Sequence, residues 1–211
     1  MGPQRVTGRQ PDFGKYHHST PAESAEIRNE ARALFMKAFD QLPFSRDEKL
    51  TILDVGCGLG FLSCVCAEFY PNATVVGFDT FEHESLEGSS LERARNNAKI
   101  LGCLNRIKFR RGDIFRSDYS KDEFGLIVSN LVFHNLGRKR FEAYDRLAGW
   151  TKPGSYSVIG DFIFDHKADL ERLSNLFASV EEKPNPFVEL GYRMLVLSSP
   201  LRKMRGPRRK Q

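Results

Sequence analysis

The sequence predicts an α/β fold: a doubly wound, mostly parallel seven-stranded sheet with the last strand antiparallel and helices on both faces. Three observations lead there. Short apolar runs that stop at Gly, Asp or Asn alternate with segments of helical period along most of the 211 residues. The connections between successive runs are long enough for a helix to cross over, as parallel strands require. Near the end, two runs are separated by Gly191 alone, and such a turn allows only antiparallel pairing.

The elements follow in order. Thr20-Pro21-Ala22-Glu23 joins a capping Thr, a Pro suited to the first helical position and a Glu that completes a capping box. Ile27, Ala31, Leu34, Phe35, Ala38 and Phe39 then share one helical face. That helix is expected to end near Gln41, ahead of Pro43. Residues 50–55 form a strand running into glycines, 61–69 an apolar helix, and 73–78 a strand ending at Asp79. Residues 90–101 read as a helix whose start is marked by Ser89-Ser90, and 107–111 as a strand ending at Gly112-Asp113. A strand over 124–128 ends at Ser129-Asn130. A helix over 138–150 is stopped by Lys152-Pro153-Gly154. Residues 156–162 read as a strand and 168–177 as a helix. Residues 187–190 and 192–197 read as the closing strand pair.

Length and composition limit the function. The chain is about one domain long, and 40% hydrophobic residues with 17 Phe supply a core, which excludes a disordered class. No stretch approaches the roughly 18 apolar residues of a membrane span. No apolar run follows the charge of the N-terminus, so no secretory signal is read there. Four cysteines contain no CxxC pair and no His cluster has metal spacing. They read as small buried hydrophobes in a reducing cytoplasm, and no metal site is expected. The net charge of +5 belongs to the tail. Arg202, Lys203, Arg205, Arg208, Arg209 and Lys210 stand there without an acid, and the rest of the chain carries 26 basic against 27 acidic residues. The expected organisation is a flexible N-terminal arm over 1–19, a domain over 20–200 and a basic tail over 201–211. Such a tail suits nucleic acid or an acidic surface, or is a solvated appendage.

The residues that carry chemistry collect at the predicted carboxyl ends of the strands, where ligands bind in open α/β sheets. Asp54-Val55-Gly56-Cys57-Gly58-Leu59-Gly60 places glycines just past a strand, where the backbone must turn sharply and approach a ligand. A dinucleotide fingerprint needs GxGxxG. Here the third glycine comes one residue early and Phe61 stands where it is needed. Asp54 would also crowd a pyrophosphate, whereas it suits an amine or a sulfonium. Asp79-Thr80 ends the next strand, and an acid there can accept from two ribose hydroxyls. Gly112-Asp113-Ile114 ends the third, where a carboxylate suits an exocyclic amine beside an apolar neighbour.

This set resembles the class I S-adenosylmethionine-dependent methyltransferases. Asp54–Gly60 is similar to their first motif, an acid followed by Gly-x-Gly-x-Gly. The resemblance implies S-adenosylmethionine as cofactor, bound by Asp54, Gly56, Cys57, Gly58, Gly60, Asp79, Thr80, Gly112, Asp113, Ile114 and Asn130. Ser129-Asn130-Leu131-Val132-Phe133-His134-Asn135 resembles the family's fourth motif, where cofactor and acceptor meet. The Asn/Asp-Pro-Pro-Tyr form that accompanies methylation of planar amines is absent. The form present looks like the branch acting mostly on small molecules. His134 is the candidate catalytic base. Tyr144-Asp145-Arg146-Leu147 through Lys152-Pro153-Gly154 resembles the helix and turn before the fifth strand, with Ser155 in place of a second glycine. Residues 81–88 look like an insertion that could shape a pocket wall. Tyr16, His17 and His18 in the arm match the position of a lid over the cofactor.

The leading expectation is a cytoplasmic methyltransferase using in-line methyl transfer to a small-molecule substrate, with no membrane partner. The alternatives are an RNA or protein substrate docked by the basic tail, and a non-catalytic binding module on the same fold. Phe61 disfavours a dinucleotide oxidoreductase.

Overall fold

Thr20 opens the first helix as a reciprocal cap. Its Oγ1 accepts from the Glu23 amide (3.2 Å), and the Glu23 carboxylate accepts from the Thr20 amide (2.7 Å). The structure, a computed structural model, describes residues 9–117, 119–120 and 123–200. The basic tail over 201–211 lies outside the described residues. The elements run α1 (Pro21–Asp40), β1 (Thr51–Val55), α2 (Phe61–Phe69), β2 (Thr74–Asp79), α3 (Leu91–Ile100), β3 (Ile107–Arg111), β4 (Phe124–Asn130), α4 (Arg140–Trp150), β5 (Thr151–Phe162), α5 (His166–Ser174), β6 (Phe177–Lys183) and β7 (Tyr192–Pro200).

The seven strands stand in the order β3-β2-β1-β4-β5-β7-β6. β1 to β5 are parallel, and β7 runs antiparallel to both of its neighbours. The strands alternate between two cores. Ile52, Val75, Leu126 and Val158 face α1, α2 and α3, with Phe35 and Phe39 among their partners. Leu53, Val76, Ile127 and Ile159 face α4 and α5, with Tyr144, Leu147 and Trp150. Burial on both faces is why the central strands are apolar throughout rather than alternating. The order reverses between β1 and β4, so a crevice opens there at the carboxyl ends. Among the described residues no helix is long and apolar enough to cross a membrane.

Several boundaries differ from the sequence reading, and four of the differences change the local structure or its partners. The helix expected over 168–177 ends at Ser174, and Phe177 begins β6. Leu173, Phe177 and Val180 are spaced four and three apart and so mimic a continuing helix, but β6 is an edge strand whose exposed positions are mostly polar. The strand expected over 187–190 is a short 3₁₀ turn, Val188–Leu190, closed by Gly191 at φ 86°. The antiparallel hairpin is therefore β6–β7. Residues 133–139 form a 3₁₀ segment with Gly137 at φ 54°, so the regular helix starts at Arg140 instead of 138. β5 begins at Thr151, upstream of the expected Tyr156, and pairs with β4 across a register shift between Phe124 and Leu126.

Candidate active site

The loop after β1 turns through three left-handed glycines, Gly56 (φ 70°), Gly58 (φ 50°) and Gly60 (φ 83°). Side chains rarely adopt that region. A Cβ on Gly56 would also lie 2.3 Å from Val132 Cγ2, so the loop presses directly on the segment after β4. The amides of Gly56 and Cys57 donate to the Phe78 carbonyl (2.9 and 3.1 Å), and that of Gly60 to Cys57 (2.8 Å). The Gly58 amide donates to Asp79 Oδ2 (2.9 Å). These four amides are committed to protein acceptors. They do not form the cluster of free donors that cradles a pyrophosphate.

Asp54 lies at the floor of the crevice, almost fully buried, with Oδ2 accepting from Ser63 Oγ in the first turn of α2 (2.5 Å). Burial pushes its carboxyl up to about 7; the Ser63 bond opposes that push and the Asp79 charge adds to it. A cation nearby would favour the ionised form. Asp79 Oδ1 accepts from the Phe81 amide (2.7 Å) as Oδ2 accepts from Gly58. A carboxylate offers about four acceptor positions, so two remain for adjacent hydroxyls. Asp113 Oδ1 accepts from the Phe115 amide (2.9 Å), and Arg116 stands 3.8 Å from Oδ2. Gly112, Ile114, Thr80 and Cys57 line the same cavity, and burial pushes the Cys57 thiol well up, keeping it neutral. Asn130, at the end of β4, spends its Oδ1 on the Tyr192 hydroxyl (2.8 Å).

Beyond β4 the chain turns sharply. Leu131 sits at φ 58°, a strained conformation for a branched side chain, and its amide donates to the Gly160 carbonyl (2.8 Å). Asp161, at the end of β5, organises the rest. Its Oδ2 accepts from the amides of Val132 (3.0 Å) and Phe133 (2.6 Å), and its Oδ1 from its neighbour Phe162 (2.8 Å) and from His134 Nδ1 (2.5 Å). An ionised carboxylate only accepts, so this contact suits an imidazole that donates from Nδ1.

The arm and the 81–88 insertion meet over this crevice. Tyr16 pairs with Leu86, and the His17 amide donates to the Ser85 carbonyl (3.0 Å). Buried Arg28 of α1 donates to the carbonyls of Phe13 (2.7 Å) and Gly14 (2.6 Å) and covers the Tyr16 ring. Asn97 of α3 holds both the amide and the carbonyl of Asp12 (2.9 and 2.8 Å) and also the Leu59 carbonyl (3.0 Å). The result is one cavity of about 720 Å³, within the usual range for small-molecule sites.

Ten of the eleven residues expected at the cofactor, and His134, line this cavity; Gly60 does not, and a Cβ there would meet Phe109 at 2.8 Å. The sequence reading missed Asp161, Tyr192, Asn97, Arg28 and Ser63. Asp161 had one signal, an acid closing an apolar strand as Asp54 and Asp79 do. The donor set fits S-adenosylmethionine: acceptors for ribose hydroxyls and an exocyclic amine, a buried carboxyl for a cationic group, and no phosphate cradle.

Comparisons with known proteins agree. A family profile described as a methyltransferase domain matches residues 46–190. The malonyl-[acyl-carrier protein] O-methyltransferase of Halalkalibacterium halodurans is 29% identical over 71% of this chain and 53% of its own length. A tRNA1(Val) (adenine(37)-N6)-methyltransferase of Vibrio cholerae is 33% identical over 41% of this chain and 33% of its own. The chain thus spans about half or less of these two curated relatives. In fold it is similar to the mitomycin 7-O-methyltransferase MmcR (TM-score 0.64, 16% identity, 84% of this chain and 55% of that one). It is equally similar to a methyltransferase-like protein solved with the Haloferax volcanii Trm112 activator (TM-score 0.64, 14% identity, 87% and 96%). With the profile covering more than half of its length, the chain belongs to the class I S-adenosylmethionine-dependent methyltransferases.

Proposed function

We propose that this protein transfers the methyl group of S-adenosylmethionine to a small-molecule acceptor. The observation that carries this reading is one continuous cavity, which joins the acids at the ends of β1, β2 and β3 to an apolar half at the ends of β4 and β5 and the start of β7. S-adenosylmethionine supplies a methyl group already activated on a sulfonium. The chain's own task is alignment, and proximity with orientation can supply roughly 7–11 kcal/mol of such a barrier. Asp79 and Asp113 hold the nucleoside, Asp54 and the glycine turn hold the methionine part, and the arm excludes water.

Relatives named for tRNA and for a carrier protein keep a macromolecular acceptor in view, and the basic tail would be its docking element. Incubating the protein with radiolabelled S-adenosylmethionine and fractionated cell extract separates the cases. Label is expected in the small-molecule fraction, with no change on deleting residues 202–211. Label in RNA or protein, lost on that deletion and at raised salt, overturns the small-molecule reading.

A further inference from the structure

Asn130 closes β4 and lines the cavity, and its side-chain amide is held one way round. Its Oδ1 accepts from the Tyr192 hydroxyl (2.8 Å). A phenol oxygen can donate or accept, but Tyr192 is buried, and burial keeps its phenol protonated. Among the described residues the acceptor that this hydroxyl meets is Asn130 Oδ1. With the amide turned over, Nδ2 would face the phenol, and a buried hydroxyl hydrogen would lose its partner at the full cost of its desolvation. The phenol is itself clamped. Phe162 and Phe187 stand edge-on to its ring, with centroids 5.9 and 6.3 Å away. Gly160, the register partner of Asn130 on β5, leaves the space that the hydroxyl crosses. A Cβ there would lie 2.0 Å from the hydroxyl and 3.0 Å from Asn130 Oδ1. Gly160 has no positive φ, so this position calls for glycine through room and not through backbone conformation.

With Oδ1 held, Nδ2 points away from Tyr192. Among the described residues the buried polar side-chain atoms without a partner are Arg172 Nε and Arg193 Nε. Nδ2 of Asn130 is not one of them and no described residue accepts from it, so it reaches open space, and that space is the cavity. The donor stands where Leu131, Phe162 and Phe187 meet the glycine loop, which presses on Val132 two residues along the chain. Asn135 is held the opposite way, its Nδ2 on the Leu131 carbonyl (3.2 Å), and so does not duplicate the donor. His17, His18, His83 and Glu84 line the same cavity from the arm and the insertion, where they face other parts of a ligand.

We propose, building on the methyltransferase reading, that Asn130 binds the methyl acceptor and not the cofactor, its Nδ2 donating to a lone-pair oxygen or nitrogen that neighbours the methylated atom, with Tyr192 and Gly160 as the positioning residues that fix the amide. The partners of Asn130 place it on the acceptor side. They come from β5 and β7, across the crevice from Asp79 and Asp113 at the ends of β2 and β3. A fixed amide donor selects by chemistry as well as shape. It rewards an acceptor that carries a lone pair at this point, and it leaves a group with N–H or O–H alone facing another donor.

The test takes radiolabelled S-adenosylmethionine and the small-molecule fraction of cell extract, and identifies the labelled product by mass spectrometry. A lone-pair oxygen or nitrogen within two bonds of the methylated atom is expected; a product without one overturns the proposal. On that acceptor, Y192F is expected to raise KM about tenfold with kcat at saturation little changed, the mark of lost uniform binding. N130D, which offers no donor, should raise KM further, and G160A, which drives the phenol off Asn130, should reproduce Y192F. Unchanged KM in Y192F and N130D overturns the acceptor role. By calorimetry, S-adenosylhomocysteine is expected to bind both variants as it binds the unaltered protein; weaker binding in both returns Asn130 to the cofactor and overturns the proposal. Should N130D fail to fold, Y192F, which removes one hydroxyl, carries the same measurements. Independently of turnover, the ¹⁵N order parameter of the Asn130 side-chain amide is expected to be high in the S-adenosylhomocysteine complex and to fall in Y192F. Equal order in the two proteins overturns the positioning role of Tyr192. No labelled small molecule, with S-adenosylhomocysteine still binding, overturns the acceptor class, and failure of S-adenosylhomocysteine to bind the unaltered protein overturns the underlying reading.

Discussion

At the scale of single residues, Asp79 shows how one side chain joins loop geometry to binding. It holds the Gly58 and Phe81 amides, so the glycine turn and the proposed ribose wall share one carboxylate. Asp79→Ala removes the acceptors for the hydroxyls, and hydrogen bonds to a charged group contribute about 1.5–3 kcal/mol each. S-adenosylhomocysteine affinity is expected to fall at least tenfold by calorimetry, with circular dichroism unchanged. An unaltered affinity removes the ribose role from Asp79. The placement of these acids along one cavity was legible in the sequence because each stands at or beside the end of its strand, so chain order alone brings them together. Asp161 was not, because its role needs three amides and an imidazole brought together across a gap of 27 residues to His134.

At the scale of elements, the N-terminal arm and α3 form one unit. Asn97 is buried, and it ties Asp12 on the arm to Leu59 in the glycine loop. Arg93 adds an ion pair to Asp12 at 2.9 Å, but that pair is exposed and worth little. Asn97→Ala leaves the Asp12 backbone without its partners. The arm over 9–19 is then expected to open, read as faster trypsin cleavage at Lys15, and S-adenosylhomocysteine should no longer protect that site. Equal cleavage in both proteins would assign the hold on the arm to Arg28 and the contacts with residues 85–86 instead. The arm's composition of Gly, Pro and polar residues carried no sign of this, since its order comes from side chains on α1 and α3. β6 escaped for a related reason. An edge strand buries one side only, and Phe177 and Val180 continue the spacing of α5. The central strands, buried on both faces, were read within one to five residues.

For the whole molecule, the buried acid at the sheet's centre couples stability, pH and ligand. Asp54 ionises near pH 7 in the folded chain against an ordinary 3.8. The fold holds that proton more tightly than the unfolded chain, so stability falls as pH rises through the window from about 4 to about 7 and stays low above it. Three pH units correspond to on the order of 4 kcal/mol. Asp12 and Glu23 are shifted downward, chiefly by hydrogen bonds from the Gly14 and Thr20 amides. Their contribution is present above their unfolded values and is lost on acidification, so the two effects oppose each other on either side of about pH 4. Asp54→Asn removes the ionisation and can still meet Ser63. Its melting temperature at pH 8 is expected to exceed that of the unaltered protein, with the two converging only as the pH falls below about 4. The same carboxyl should couple to the ligand. A cationic methionine moiety lowers its proton affinity, so S-adenosylmethionine binding at pH 6.5 is expected to release protons. Calorimetry in two buffers of different ionisation enthalpy measures that release. Asp54→Asn should abolish it and weaken binding, and a variant that melts higher yet binds with undiminished affinity and the same release would detach Asp54 from the cofactor.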